Sequence, residues 1–270
     1  MTKQFFGIIA FCTLLSSYVF SQQKTAGVIY YDQVIDLKSM AGGQQPSGGA
    51  TPGGDTQIRV MTFGGPNGST MPEKITNKFE IAFNPIGAKF QKSETEDITA
   101  PAGGEGAGGG MRMMMRFGGG DRELYFNTSD KVTESFELNG EDVLLESILG
   151  SAAKEAELSS ETKKIIGFDC KKAVITGRNG LKTTIWYSTD LNFKASPMAN
   201  LWVAGVVLGI ENERMKFYAT SIEYTKIKDS EVSVPKKGRT ITQEEYQKAM
   251  EEMRAKFRNG GGDRQIRIQQ

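Results

Sequence analysis

The chain has 270 residues, of which 33 are basic and 32 acidic, with two cysteines and no histidine. The absent imidazole excludes Ser-His-Asp and Cys-His catalysis, the usual general base near neutral pH and His-ligated metal sites. The balanced charge argues against a nucleic-acid partner, whose recognition needs an excess of Lys and Arg to neutralise phosphate.

Met1-Thr2-Lys3-Gln4 carries one positive charge, an apolar run from Phe5 to Leu15 follows, and small and polar residues end in Val19-Phe20-Ser21. A basic start, an apolar stretch of roughly 7–15 residues and a small-residue cleavage site describe a secretory signal peptide. The run is too short for a membrane span, which needs about 20 residues. Residues 1–21 therefore read as an export signal, with the mature protein starting near Gln22 in the periplasm or cell envelope, or secreted. Removing the signal takes Lys3 and no acid, leaving 32 residues of each sign. Cys12 leaves with it. Because Ala10-Phe11 precede Cys12, and lipoprotein cleavage needs a small residue immediately before the cysteine, no stable membrane anchor is expected.

Residues 22–228 read as one mainly antiparallel β domain. Within it, residues 41–54 (AGGQQPSGGATPGG) and 103–120 (GGEGAGGGMRMMMRFGGG) have too little to bury and read as flexible loops. Lys74 to Asn84 alternates, with Phe79, Ile81 and Phe83 on one face and Lys78, Glu80 and Asn84 mostly on the other. Asn84-Pro85-Ile86-Gly87 is a turn signal, and Ala88 to Gln91 returns. Val132, Phe136 and Leu138 alternate with Thr133, Ser135 and Glu137, and Asn139-Gly140 supplies the favoured two-residue hairpin turn before Asp142 to Leu145. Lys164 to Lys228 is the densest strand block, with Ile166, Phe168, Cys170 and Val174 read on one face. Cys170, the only thiol of the mature chain, closes no internal disulfide and reads as a small buried hydrophobe, with a nucleophile as the alternative.

Residues 229–258 read as a linker and a helix, and 259–270 as a flexible tail. Thr242-Gln243-Glu244-Glu245 has the capping-box pattern, and Tyr246, Met250, Met253 and Phe257 form an apolar stripe on a charged helix from Thr242 to Arg258. Docking on the sheet is the ordinary reading of that stripe; binding a partner is the other.

Ile166-Gly167-Phe168-Asp169-Cys170-Lys171-Lys172-Ala173 and Ile185-Trp186-Tyr187-Ser188-Thr189-Asp190-Leu191 resemble the secreted GLPGLI family of Gram-negative bacteria. That family shows a Gly-aromatic-x-Cys-x-Lys-Ala strand, a Trp-Tyr-Thr-x-Asp segment and then the glycine-proline motif that names it. The final strand, Phe217 to Ile222, is also similar. The naming motif is altered: Gly205-Val206-Val207-Leu208-Gly209-Ile210 lacks the proline, so the chain resembles a divergent member. By analogy the resemblance implies a curved sheet or open half-barrel like those that carry lipoproteins, with an apolar concave face and the C-terminal amphipathic helix added.

Met111, Met113, Met114 and Met115 are soft thioether ligands suited to copper(I), but Arg112 and Arg116 oppose a cation, and no metal or cofactor is assigned. Trp186, Tyr187 and Trp202 read as core or as the lining of an apolar cavity. Glu244 and Glu245 at a helix start read as structural. No catalytic residue is assigned. The leading reading is a non-enzymatic binding protein holding an apolar ligand or an outer-membrane protein in its concave face. The alternatives are a cell-envelope assembly factor acting through the Gly/Met-rich loops, a copper(I)-binding protein, and an enzyme using carboxylates.

Overall fold

The structure, a computed structural model, describes residues 24–36, 74–93, 122–177 and 180–260. The expected signal, both Gly-rich loops with Met111, Met113, Met114 and Met115, and residues 261–270 lie outside the described residues.

Among the described residues twelve strands make one open, mainly antiparallel sheet. They are β1 (Gly27–Asp36), β2 (Lys74–Asn84), β3 (Gly87–Lys92), β4 (Glu123–Phe126), β5 (Lys131–Leu138), β6 (Glu141–Ile148), β7 (Glu157–Ile165), β8 (Phe168–Thr176), β9 (Lys182–Ser188), β10 (Val206–Glu211), β11 (Met215–Glu223) and β12 (Arg239–Ile241). Two helices follow β11: α1 (Asp229–Val232) before β12, and α2 (Gln243–Gly260) after it. Strand order is β12-β6-β5-β4-β3-β2-β1-β11-β10-β9-β8-β7. Among the strand pairs of the described residues only β12 against β6 is parallel, and an isolated parallel bridge joins Ala195 to Val206. Strand β12 was not expected: three residues carry too little pattern to read, and pairing with β6 is what makes Arg239–Ile241 extended.

Curvature follows from contacts between distant places in the strand order. The segment after β6, near one edge, meets the segment between β9 and β10, near the other. Gly150 N–H donates to Ala199 O at 2.8 Å and Ala152 N–H to Asn200 O at 3.0 Å, and Lys194 pairs with Asp130 at 2.7 Å. The sheet has to curl for these to touch. Its interior is then filled by its own side chains: Phe79 stacks on Phe90 at 5.2 Å and meets Phe217 at 5.2 Å. A second, smaller core of Phe136, Leu138, Val143, Leu145 and Ile241 is covered by Tyr246, Ala249 and Met253 of α2. The docked-helix reading of the stripe therefore holds for Tyr246 and Met253. The capping box forms as read: Glu245 N–H donates to Thr242 Oγ1 at 3.1 Å, and Thr242 N–H to Glu245 Oε2 at 2.8 Å.

Two face assignments change. Asn84 is buried, not outward: its amide donates to Asp229 Oδ1 at 3.0 Å and its Oδ1 accepts from Ile86 N–H at 3.0 Å, which ties the β2–β3 turn to α1. On β8 the buried positions are Cys170, Ala173 and Ile175, so Val174 falls on the opposite side. The partner strand β7 slips in register between Ser159 and Thr162, breaking simple alternation there.

Tyr31 sits in the middle of the interior, 1% exposed, with its hydroxyl donating to Val207 O at 3.0 Å. Burial holds its phenol far above the ordinary 10.0, and burial pushes the Cys170 thiol from 9.0 up to about 11. The folded state keeps these protons where the unfolded state loses them. Each raised pKa therefore contributes stability that is complete below the ordinary value and falls as pH rises beyond it. Unfolding free energy should decline from about pH 9 as Cys170 titrates in the unfolded chain. Above about pH 10 Tyr31 should add a loss of about 1.4 kcal/mol per pH unit. Urea titrations across that range should show Tyr31→Phe with a shallower decline; an unchanged slope would exclude Tyr31 as its source.

Candidate functional site

A cleft of about 730 Å³ opens where β3–β6, the Pro197–Asn200 segment and the first turn of α2 converge. That is within the usual size of small-ligand sites, about 300–1,000 Å³. Its residues follow from strand alternation. On β5, Val132, Glu134, Phe136 and Leu138 share one parity, and all but Glu134 are buried hydrophobics. Cross-strand pairing sets Glu134 directly between Leu124 of β4 and Leu145 of β6. A carboxylate thus stands at the boundary between the main core and the small core under α2.

Arg122 makes that placement tolerable. Its Nη1 donates to Glu134 Oε2 at 2.8 Å, with side-chain exposures of only 24% and 16%. Its Nη2 donates to Tyr246 Oη at 2.5 Å. The guanidinium lies 4.4 Å from the Phe136 ring centre and 5.3 Å from that of Tyr246, and the two rings meet edge-on at 5.6 Å. Ser147 Oγ lies 3.5 Å from Glu134 Oε1. The planar, weakly hydrated guanidinium suits this position between rings.

Because Arg122 and Glu134 satisfy each other, the cleft offers a ligand two other kinds of contact. Phe90, Leu124, Leu145 and Met198 give an apolar floor, while Ser147, Asn200 and Gln243 give neutral hydrogen-bonding groups. Ile148, a large hydrophobic 56% exposed, stands at the lining. An apolar floor beside hydrogen-bonding side chains is the chemistry that an amphipathic or hydroxyl-bearing molecule would match.

The residues singled out from sequence fall elsewhere. Trp186 and Tyr187 belong to the main core cluster, Trp202 packs against it, and none of the three lines the cleft. Cys170 is fully buried with a raised thiol pKa, the opposite of an activated nucleophile. Glu245 caps α2, and its carboxyl is held below its ordinary range by the Thr242 backbone N–H. Gly205 takes φ +50°, and its carbonyl accepts from the Trp202 indole at 2.8 Å and from Ala195 N–H at 3.2 Å. Along Val207 to Gly209 a bulge shifts the pairing with β9, and Leu208 is fully buried. The stretch Gly205 to Ile210 is structural in this chain. Among the described residues no group of three or more acidic or cysteine side chains is placed to hold a metal ion, and no helix is long and apolar enough to cross a membrane.

Glu134 was missed, though the sequence held a signal for it: an acid standing at the inward parity of an alternating strand. Arg122, Asn200 and Gln243 carried none, because only the curled sheet brings them to that acid.

A family model described as "N-glycanase peptide, N-terminal domain" matches residues 127–247, a span that includes Glu134, Ser147, Asn200 and Tyr246 but not Arg122. No curated protein matches the chain. Among solved structures, PNGF-II in a C2 crystal form superposes with a TM-score of 0.50 at 18% identity, covering 85% of this chain and 33% of that one. PNGF-II in a P21 form gives 0.50 at 19% identity, covering 83% and 33%. The chain thus corresponds to about a third of the length of PNGF-II. At such identity the likeness is one of fold.

Proposed function

We propose that the protein is an exported, non-enzymatic binding protein of the periplasm or cell envelope, a divergent GLPGLI-type chain that holds an amphipathic ligand in the Glu134 cleft. The observation that carries this reading is the cleft itself: an apolar floor, the hydrogen-bonding side chains of Ser147, Asn200 and Gln243, the self-neutralising Arg122–Glu134 pair, and Glu146, which is paired with Lys131. An outer-membrane protein could fill the same cleft through a protruding apolar side chain. The signal at residues 1–21 supports export.

A second reading is favoured by the match over residues 127–247 to a domain named for an N-glycanase. In that reading the chain is an accessory module for glycan handling, and Ser147, Asn200 and Gln243 meet sugar hydroxyls. Thermal unfolding separates the two. A ligand present at about 100 times its Kd stabilises by about 2.7 kcal/mol, a shift of about 5–10 °C for a domain of this size. The amphipathic reading expects that shift with medium-chain acyl ligands and none with N-glycans. The glycan reading expects the reverse, and a flat response to both refutes the cleft as a small-ligand site.

A further inference from the structure

A second constellation shares no residue with the cleft lining. Pairing register lines up Lys172, Trp186, Gly209 and Tyr218 on β8, β9, β10 and β11. Gly209 leaves bare backbone between two large rings: a Cβ there would lie 2.7 Å from a Tyr218 ring carbon and 3.3 Å from Trp186 Cδ1. Glu211, two residues further along the same face, accepts the Trp186 indole N–H at 3.4 Å. Its carboxylate also lies against the Tyr218 hydroxyl. Two ammonium groups approach these rings: Lys172 Nζ, paired with Glu161 at 2.9 Å, lies 5.9 Å from the Trp186 ring centre, and Lys163 lies over both rings. Lys163 reaches in from the edge strand β7, with Nζ 4.4 Å from the Tyr218 ring centre and 5.5 Å from that of Trp186, and donates to Tyr218 Oη at 3.2 Å. Lys163 itself is an exposed residue on the outermost strand.

We propose that Trp186, Tyr218 and Glu211, floored by Gly209, form a binding cage for a quaternary ammonium group, and that Lys163 occupies it as an internal stand-in. Ring faces carry negative potential and attract cations, most strongly when the cation is desolvated. A primary ammonium is strongly hydrated, whereas a methylated one sheds its water more readily, so the latter competes for the same rings. The nearby carboxylate adds the charge that a neutral aromatic pair lacks. The bland alternative is that Lys163 only pins β7 to the sheet. The two differ in one respect: a pin that is cut loses stability and gains nothing, whereas an emptied cage gains a ligand.

The test is calorimetric titration of the full mature chain with tetramethylammonium chloride, against sodium chloride at matched ionic strength. Lys163→Ala should bind tetramethylammonium at least about tenfold more tightly than the unaltered chain, a difference of about 1.4 kcal/mol. Adding Tyr218→Leu to Lys163→Ala should abolish the gain, with circular dichroism reporting that both variants stay folded. If the second variant does not fold, Glu211→Gln serves instead and should reduce the gain. Choline chloride and phosphatidylcholine vesicles then identify the source. Binding of choline alone assigns a free solute, and capture on vesicles as well assigns a lipid headgroup. No gain in Lys163→Ala, or a gain that survives loss of the ring and of the carboxylate, overturns the cage.

Discussion

Gly205→Ala should destabilise the protein by about 3–5 kcal/mol, among the largest effects of any single methyl group in this chain. The residue has φ +50°, where a Cβ adds strain of about 1–3 kcal/mol. The added carbon would also fall 2.1 Å from Ser188 O, so the backbone must move. Any movement withdraws the carbonyl that accepts from the Trp202 indole and from Ala195 N–H, each bond contributing about 1 kcal/mol. Those bonds hold the segment between β9 and β10, which in turn bonds to the segment after β6 and closes the curled sheet. Equilibrium urea unfolding measures the loss, with Gly140→Ala as control. Gly140 also has positive φ, +85°, but a Cβ there meets nothing within 4 Å, so its cost should stay near the strain alone. Equal losses at the two sites would refute the steric argument at Gly205.

Breaking the Arg122–Glu134 pair should be nearly as damaging, and removing both partners should not be. Arg122→Met leaves the Glu134 carboxylate between Leu124 and Leu145, with Ser147 Oγ at 3.5 Å. A fully buried unpaired charge costs about 3–5 kcal/mol; with side chains 24% and 16% exposed, partial solvation lowers the expectation to about 2–3 kcal/mol. Glu134→Leu strands the guanidinium with its ring contacts and Tyr246 and should cost less, about 1–2 kcal/mol. The double variant replaces an ion pair by apolar side chains of similar volume and should recover most of the loss. A double-mutant cycle gives the coupling directly. If the losses simply add, the two groups are independent and the pair does not organise the cleft.

The fold was largely legible because its signals are local. Asn139-Gly140 turns with φ 55° and 85°, as the dipeptide requires, and the capping box at Thr242 starts α2 where read. What escaped was not local. β7, Glu157–Ile165, is almost wholly exposed, so it carries no alternation and becomes a strand only by pairing with β8. The β7–β8 turn places Ile166 at φ 43° and Gly167 at φ 93°; a β-branched residue is a poor choice there, and no turn signal announced it. Tyr31, Phe79, Phe90 and Phe217 pack into the interior of the curled sheet. The Glu134 cleft lies at the end of the sheet, where the first turn of α2 meets β5 and β6. Composition could not locate it, since it depends on segments from opposite ends of the strand order meeting.

The proposed occupancy of the Glu134 cleft is open to direct measurement. Native mass spectrometry of the mature chain recovered from the exporting cell tests it most directly, paired with Asn200→Trp, which fills the cleft from a residue that is not in the core. A bound mass is expected on the unaltered protein and should be lost from a folded Asn200→Trp variant. A bare protein in both samples, or a bound mass that persists with the cleft filled, would contradict it.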